Sequence, residues 1–179
     1  MRTVIVLAPT VEPITLLEAK AQLRIEPAFT EDDDYINALI SAARGRCESY
    51  CNQFFTEQGI EVIYSTPIPS VIDLPFVGLT VDSINYTDVD FISQVLPVAD
   101  YTVDTVNGKI HFESSVDSLG FQLNCTTSSP VDISGVQQSI KIIVTDLYEL
   151  RTETAVGVSL ADNPAVKALL YPFRLDLGI

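Results

Sequence analysis

Two cysteines one helical turn apart (Cys47 and Cys51), a lone histidine (His111) and the carboxylates Glu31, Asp32, Asp33 and Asp34 are the residues of this chain whose types and spacing could do chemistry. A Cys-x-x-x-Cys pair with His111 as third ligand could hold a metal. The same spacing on an apolar stripe is that of two small core residues, and that reading is preferred. The acidic run could attract Ca²⁺ or Mg²⁺, but it lacks the alternating oxygen ligands and fixed glycine of an EF-hand loop. As the first turn of a helix, where backbone N–H groups point outward, it needs no ion. His111 sits in His-Phe-Glu, the first half of a zinc deaminase signature, yet no Pro-Cys-x-x-Cys follows. Strand alternation puts it opposite Phe112, on a solvated face.

The chain has no Gly-rich phosphate loop, no nucleophile elbow and no His-Glu-x-x-His. Its 24 acidic residues supply many accidental carboxylate pairs, so a small carboxylate-dependent hydrolase would need a pocket with acids of raised pKa. The residue types therefore predict no enzyme, no cofactor and no metal site.

The elements that must position these side chains are organised around one helix, expected over residues 30–53. Ile36, Leu39, Ile40, Ala43, Cys47, Tyr50 and Cys51 recur at steps of three and four and form a single stripe. Thr30 is placed to cap it, with Asp33 completing a capping box. Arg44 and Arg46 fall off the stripe and are expected to look outward. Before it, Thr15 and Glu18 form the capping box of a short helix that stops ahead of Pro27. The apolar run preceding Pro9 reads as an edge strand or extended arm.

From Gln58 the period changes to two, with Ile60, Val62 and Tyr64 on one side. Asn107-Gly108 signals a type I′ hairpin turn, and a last strand runs through FQLNCTT. A helical period resumes at Ser134, read as a cap with Gln137. Asn163 caps a final helix with Pro164 at its first position. The segment between them reads as a loop with a flexible centre, and the RLDLGI tail has few means of ordering itself. The fold expected is α+β: mainly a bundle of about four helices, with a small antiparallel sheet or barrel inserted between the second and third. The organisation expected is one domain with an insertion. Residues 1–57 are arm and helices, 58–133 the β insertion, and 134–179 the helices that complete the core.

Composition sets the class. With 47% aliphatic and aromatic residues and 19% charged residues the chain is globular. Its net charge of −14 is uneven: residues 61–135 carry 1 basic and 10 acidic side chains. Such a surface repels phosphate, which argues against sequence reading or tight nucleic-acid binding but lets DNA slide past. Three cysteines form no disulfide framework. No window approaches the ~18 apolar residues of a membrane span.

A resemblance joins these pieces. Glu12-Pro13-Ile14-Thr15-Leu16-Leu17-Glu18-Ala19-Lys20, then Leu23-Arg24, Asp32-Asp33-Asp34 and the following helix, resemble the opening of tailed-bacteriophage head–tail connector (head-completion adaptor) proteins. So do Asp73-Leu74-Pro75, Ser83-Ile84-Asn85-Tyr86 and Tyr101-Thr102-Val103-Asp104 in the strand region. Near the end, Asp146-Leu147-Tyr148-Glu149-Leu150-Arg151, Pro164-Ala165-Val166 and Leu169-Leu170-Tyr171-Pro172-Phe173-Arg174 fit in order. The leading VIVLAP arm and the 152–163 loop depart from that pattern.

The resemblance implies a structural virion protein, assembled in the host bacterial cytoplasm and located in the neck at the capsid vertex. Copies, commonly twelve, would form a ring on the portal protein, extend the channel for double-stranded DNA without binding it specifically, and offer a platform for the next neck or tail protein. A tail-side neck or tail-completion protein is the alternative. Tyr and Arg are favoured at interfaces, so the subunit or portal contacts are expected at Arg44, Arg46, Tyr50, Tyr148, Arg151, Tyr171, Phe173 and Arg174.

Overall fold

The computed structural model describes residues 2–76, 78–105, 107–113, 116–130, 132–149 and 163–175. The chain divides into a helical unit, residues 11–55 and 130–179, and a sheet unit, residues 1–10 and 56–129.

In the helical unit, α1 (Leu16–Leu23) is started by the expected box. Thr15 Oγ1 accepts from the Glu18 N–H, and Glu18 Oε2 accepts from the Thr15 N–H. Its end is set by Arg24 in the left-handed region at φ 58°. The organising helix, α2, spans Asp33–Cys51, and Ile36, Ile40, Ala43, Cys47 and Cys51 of its stripe are buried. It begins later than read from the sequence, because the first carboxylates have other partners. Asp33 pairs with the buried Lys20 at 2.5 Å, and Asp32 accepts from the Tyr148 hydroxyl. Thr30 contributes only its carbonyl, to the Asp33 N–H.

The third helix, α3 (Ser134–Glu149), lays Val136, Ile140, Ile143 and Val144 into the same core. Its cap differs from the expected one. Asp132 Oδ1 accepts from the Ser134 N–H at 2.9 Å, and Gln137 reaches the Pro13 carbonyl. Asn163 caps α4 (Pro164–Leu170) as read, and a 3₁₀ turn over Tyr171–Phe173 follows. The tail is better held than expected at its start: the Leu175 N–H donates to the Cys51 carbonyl, and Gln53 donates to the Phe173 carbonyl. The remainder of the tail, Arg151 and the expected 152–163 loop, apart from Asn163, lie outside the described residues.

The sheet unit contains an open antiparallel sheet in the order β1 (Arg2–Leu7), β2 (Gly59–Tyr64), β8 (Ser118–Thr127), β4 (Leu79–Asp88), β5 (Ser93–Val95). A second sheet has the order β3 (Val71–Asp73), β7 (Lys109–Phe112), β6 (Tyr101–Asp104). Ile60 and Val62 of β2 lie opposite Cys125 and Leu123 of β8, and Ile84 of β4 lies opposite Leu123. All five are buried. This face meets the second sheet, with the Phe112 ring edge-on to Phe121 at 6.1 Å. The Asn107-Gly108 hairpin is present, with Gly108 at φ +63°. Its last described pair is Asp104 with Lys109, so the loop is longer than a two-residue turn, and the Asp104 carboxylate holds it by accepting from the Asn107 N–H.

These observations correct the expected architecture. The β part is not a small sheet inserted in a helical bundle: among the described residues it comprises eight strands in two antiparallel sheets, and the helical unit has four α-helices of its own. The N-terminal run is one of those strands, paired from Arg2 opposite Ile63 to Leu7 opposite Gly59. Among the described residues no helix is long and apolar enough to cross a membrane.

Candidate assembly surface

The seven described residues read from the sequence as contact residues all belong to the helical unit, in three settings. Arg44 does not look outward. It is 8% exposed, its Nε donates to Glu12 Oε2 at 2.8 Å and its Nη1 to Glu48 Oε2 at 2.7 Å. The other oxygen of Glu12 accepts from Ser41 Oγ, and that of Glu48 from the Phe55 N–H. A guanidinium so enclosed fixes α2 against the segment before α1. Tyr148 is similarly occupied, its hydroxyl on Asp32 and its ring 6.0 Å from Tyr35. Phe173 packs edge-on against Phe55 at 6.1 Å.

The remaining residues lie toward solvent. Arg46 and Tyr50 are four residues apart and share a face of α2. With Ile143 and Asp146 of α3 and Asn163, Val166 and Lys167, they line a shallow cleft of about 40 Å³. The Arg174 guanidinium lies over the Tyr50 ring, 5.6 Å from its centroid, a cation–π geometry. Tyr171 is 73% exposed. Arg46, Lys167 and Arg174 thus form a basic and aromatic patch on a strongly acidic chain. Lys167 was missed by the sequence reading. Its signal was available, since it follows the buried Val166 and so lies on the outer face of α4.

The chemical candidates resolve separately. Burial pushes the Cys47 thiol up to about 12, with Cys51 adding to the effect. Burial likewise raises Cys51 to about 11 and Cys125 to about 12. All three are free cysteines that pack as small apolar residues. His111 is exposed on β7. Among the described residues no group of three or more His, Cys, Asp or Glu side chains could hold a metal ion. Of the carboxylates, Glu18 titrates below its ordinary range. The Thr15 N–H is the largest cause, followed by Lys141, 3.1 Å away. Asp88 and Asp132 are lowered too, chiefly by the backbone N–H groups of Ile92 and Ser134. These shifts stabilise the ionised form; they do not prepare an acid or a base.

A family comparison finds a match over the first two helices and the strands that follow them. Residues 13–77 match the model of the phage gp6-like head-tail connector protein family, which bears out the resemblance read from the sequence. The particular relatives are solved chains of gene transfer agent particles. One is in the neck of an empty particle computed with C6 symmetry, with TM-score 0.73 and 18% identity over 97% of this chain and 95% of that one. Another is in a native virion, with TM-score 0.71, 17% identity and the same coverage of both chains. A third is in the neck of a native particle computed with C12 symmetry, with TM-score 0.64, 18% identity and again the same coverage. At these identities the likeness is one of fold, and it spans both units. Comparison with curated proteins gives no match.

Proposed function

We propose that this protein is a structural connector in the neck of a phage or phage-like particle. Identical copies form a ring on the portal, continue the DNA channel and carry the next neck or tail component. The observation that carries this reading is the conjunction of the connector-family match over residues 13–77 with a shared fold over 97% of the chain in a particle neck. The C6 and C12 symmetries with which related necks were computed support a ring. Within such a ring the patch of Arg46, Tyr50, Lys167 and Arg174, with the exposed Tyr171 three residues before Arg174, is a contact for a neighbouring subunit or the portal, because Arg and Tyr give large contact area with charge-assisted hydrogen bonds. The net charge of −14 keeps a passing duplex from sticking. Mixing the purified protein with the portal of its own particle tests the reading by electron microscopy. Rings stacked on portals are expected; a chain that stays monomeric beside saturating portal overturns it.

A further inference from the structure

We propose that the five-stranded sheet is the side-to-side joint of the ring: β1 of one copy lies alongside the β5 edge of the next, the two strands running in the same sense. The inference rests on the ring reading above and specifies which surfaces make it.

A ring needs two different, complementary patches on each copy. This sheet has two unpaired edges at opposite ends, β1 and β5, and both present apolar side chains to solvent. On β1, Ile5, Val6 and Leu7 are 52%, 55% and 63% exposed. Free edges are ordinarily blunted by lysine, proline or shortness. The six-residue β1 has no lysine or proline; it carries one charge, at Arg2, and one register shift between Ile5 and Leu7, which leave the apolar stretch of the edge open. On the far side Val95 is 67% exposed, and the turn before it carries Phe91 at 81%. Phe91 adopts φ +62°, in a region non-glycine residues seldom enter. The turn is held in shape by Asp88, whose carboxylate accepts from the Asp90 and Ile92 N–H groups and the Gln94 amide.

Sense and charge agree. Each neighbouring pair in the sheet is antiparallel, so four reversals leave β1 and β5 pointing the same way. Rotation about a ring axis preserves that sense, and the joint is therefore parallel. A two-fold dimer through β1 would instead pair the strand with itself, antiparallel, and close without a ring. In a parallel joint the beginnings of the two strands share one end. Arg2 begins β1, and the Asp88–Asp90 turn precedes β5. Arg2 and Lys109 are the two basic residues of the sheet unit. Lys109 pairs with Asp73 at 3.1 Å, whereas Arg2 makes no ion pair among the described residues. Parallel pairing along the three residues of β5 is weak, so the joint is one that closes only when the portal gathers the copies.

Cysteine cross-linking on the full chain tests this. The native Cys47, Cys51 and Cys125 are buried, and the two edges lie four strand spacings apart, about 19 Å. A short bismaleimide therefore joins Ile5→Cys to Val95→Cys only between copies. On portal-bound rings the double variant should give a ladder of multimers, with each single variant and the parent giving none. Ile5→Lys should leave the melting temperature unchanged while lowering the ring fraction several-fold, and added salt should lower it too by screening Arg2. Rings visible by electron microscopy without a ladder, and assembling normally with Ile5→Lys, overturn the joint and leave the connector reading standing. A dimer from Ile5→Cys alone overturns it in favour of β1 pairing with itself. Absence of both rings and ladder overturns joint and connector together.

Discussion

The two units close themselves by opposite means. In the helical unit, with 8 basic and 14 acidic side chains, the tie is ionic. The buried Arg44 and Glu48 are joined by the half-buried Glu12, and Lys20 is 3% exposed with Asp33 and the Pro27 and Phe29 carbonyls as partners. In the sheet unit, with 2 basic and 10 acidic side chains, the corresponding tie is neutral. Thr127 Oγ1 donates to the Thr56 carbonyl at 2.7 Å and accepts from the Gln58 N–H at 2.9 Å, with Thr127 2% exposed. A unit so short of cations has no ion pair among its buried described residues, where the polar contacts come from hydroxyls and amides; its carboxylates Asp88 and Asp104 work in exposed turns. The difference teaches that charge is paired inside one unit and used only at the surface, as in these turns, in the other.

The sharpest way to break that contrast is Arg44→Ala. It leaves the buried Glu48 without its cation and the half-buried Glu12 beside it, and should cost about 2–4 kcal/mol in chemical denaturation, below the full loss of a fully buried pair because Glu12 reaches water. The double change Arg44→Met with Glu48→Gln, whose amide oxygen still accepts from the Phe55 N–H, should recover most of the loss; equal destabilisation in both variants would show that the guanidinium's packing, not its charge, matters. Next in size is Thr127→Val, which leaves the Thr56 carbonyl and Gln58 N–H without their partner. It should cost about 1–3 kcal/mol by the same measurement, and unlike the Arg44 effect the loss should not change with salt. The smallest effect is at Glu18. Its folded pKa lies below the ordinary 4.5, so the stability it contributes is present above that value and lost as pH falls through the lowered one. Glu18→Gln should therefore flatten the acid limb of a stability-versus-pH curve and leave the neutral region nearly unchanged. An acid limb of unaltered slope would assign it to other carboxylates.

Much of the helical unit was legible because its signals are local. The stripe through Ile36 and Cys51, the Thr15–Glu18 box and the Asn163-Pro164 start each need only a few consecutive residues. Failures came where a distant partner decides the outcome. Arg44 looked free because Glu12 lies 32 positions away, and the start at Thr30 was lost because Lys20 and Tyr148 hold Asp33 and Asp32. The extent of the β part was underestimated for a related reason. Strands as short as β3 and β5, three residues each, carry no readable period, and β1 is recognisable as a full sheet member only by its pairing with β2 more than fifty residues on. Of the patch proposed as a contact, Arg46 and Tyr50 were named from residue type, whereas the place of Arg174 over Tyr50 depends on the tail being bonded to the end of α2. The functional class came from the family resemblance, not from any reactive group.

Each unit is stitched from two separated pieces of chain, residues 1–10 with 56–129 and 11–55 with 130–179. During synthesis the first strand must wait for β2, and α1 and α2 must wait for α3, so neither hydrophobic core is complete until most of the polypeptide has left the ribosome. The two units thus mature almost together and late, a non-local order that slows folding and makes prematurely terminated chains prone to aggregate.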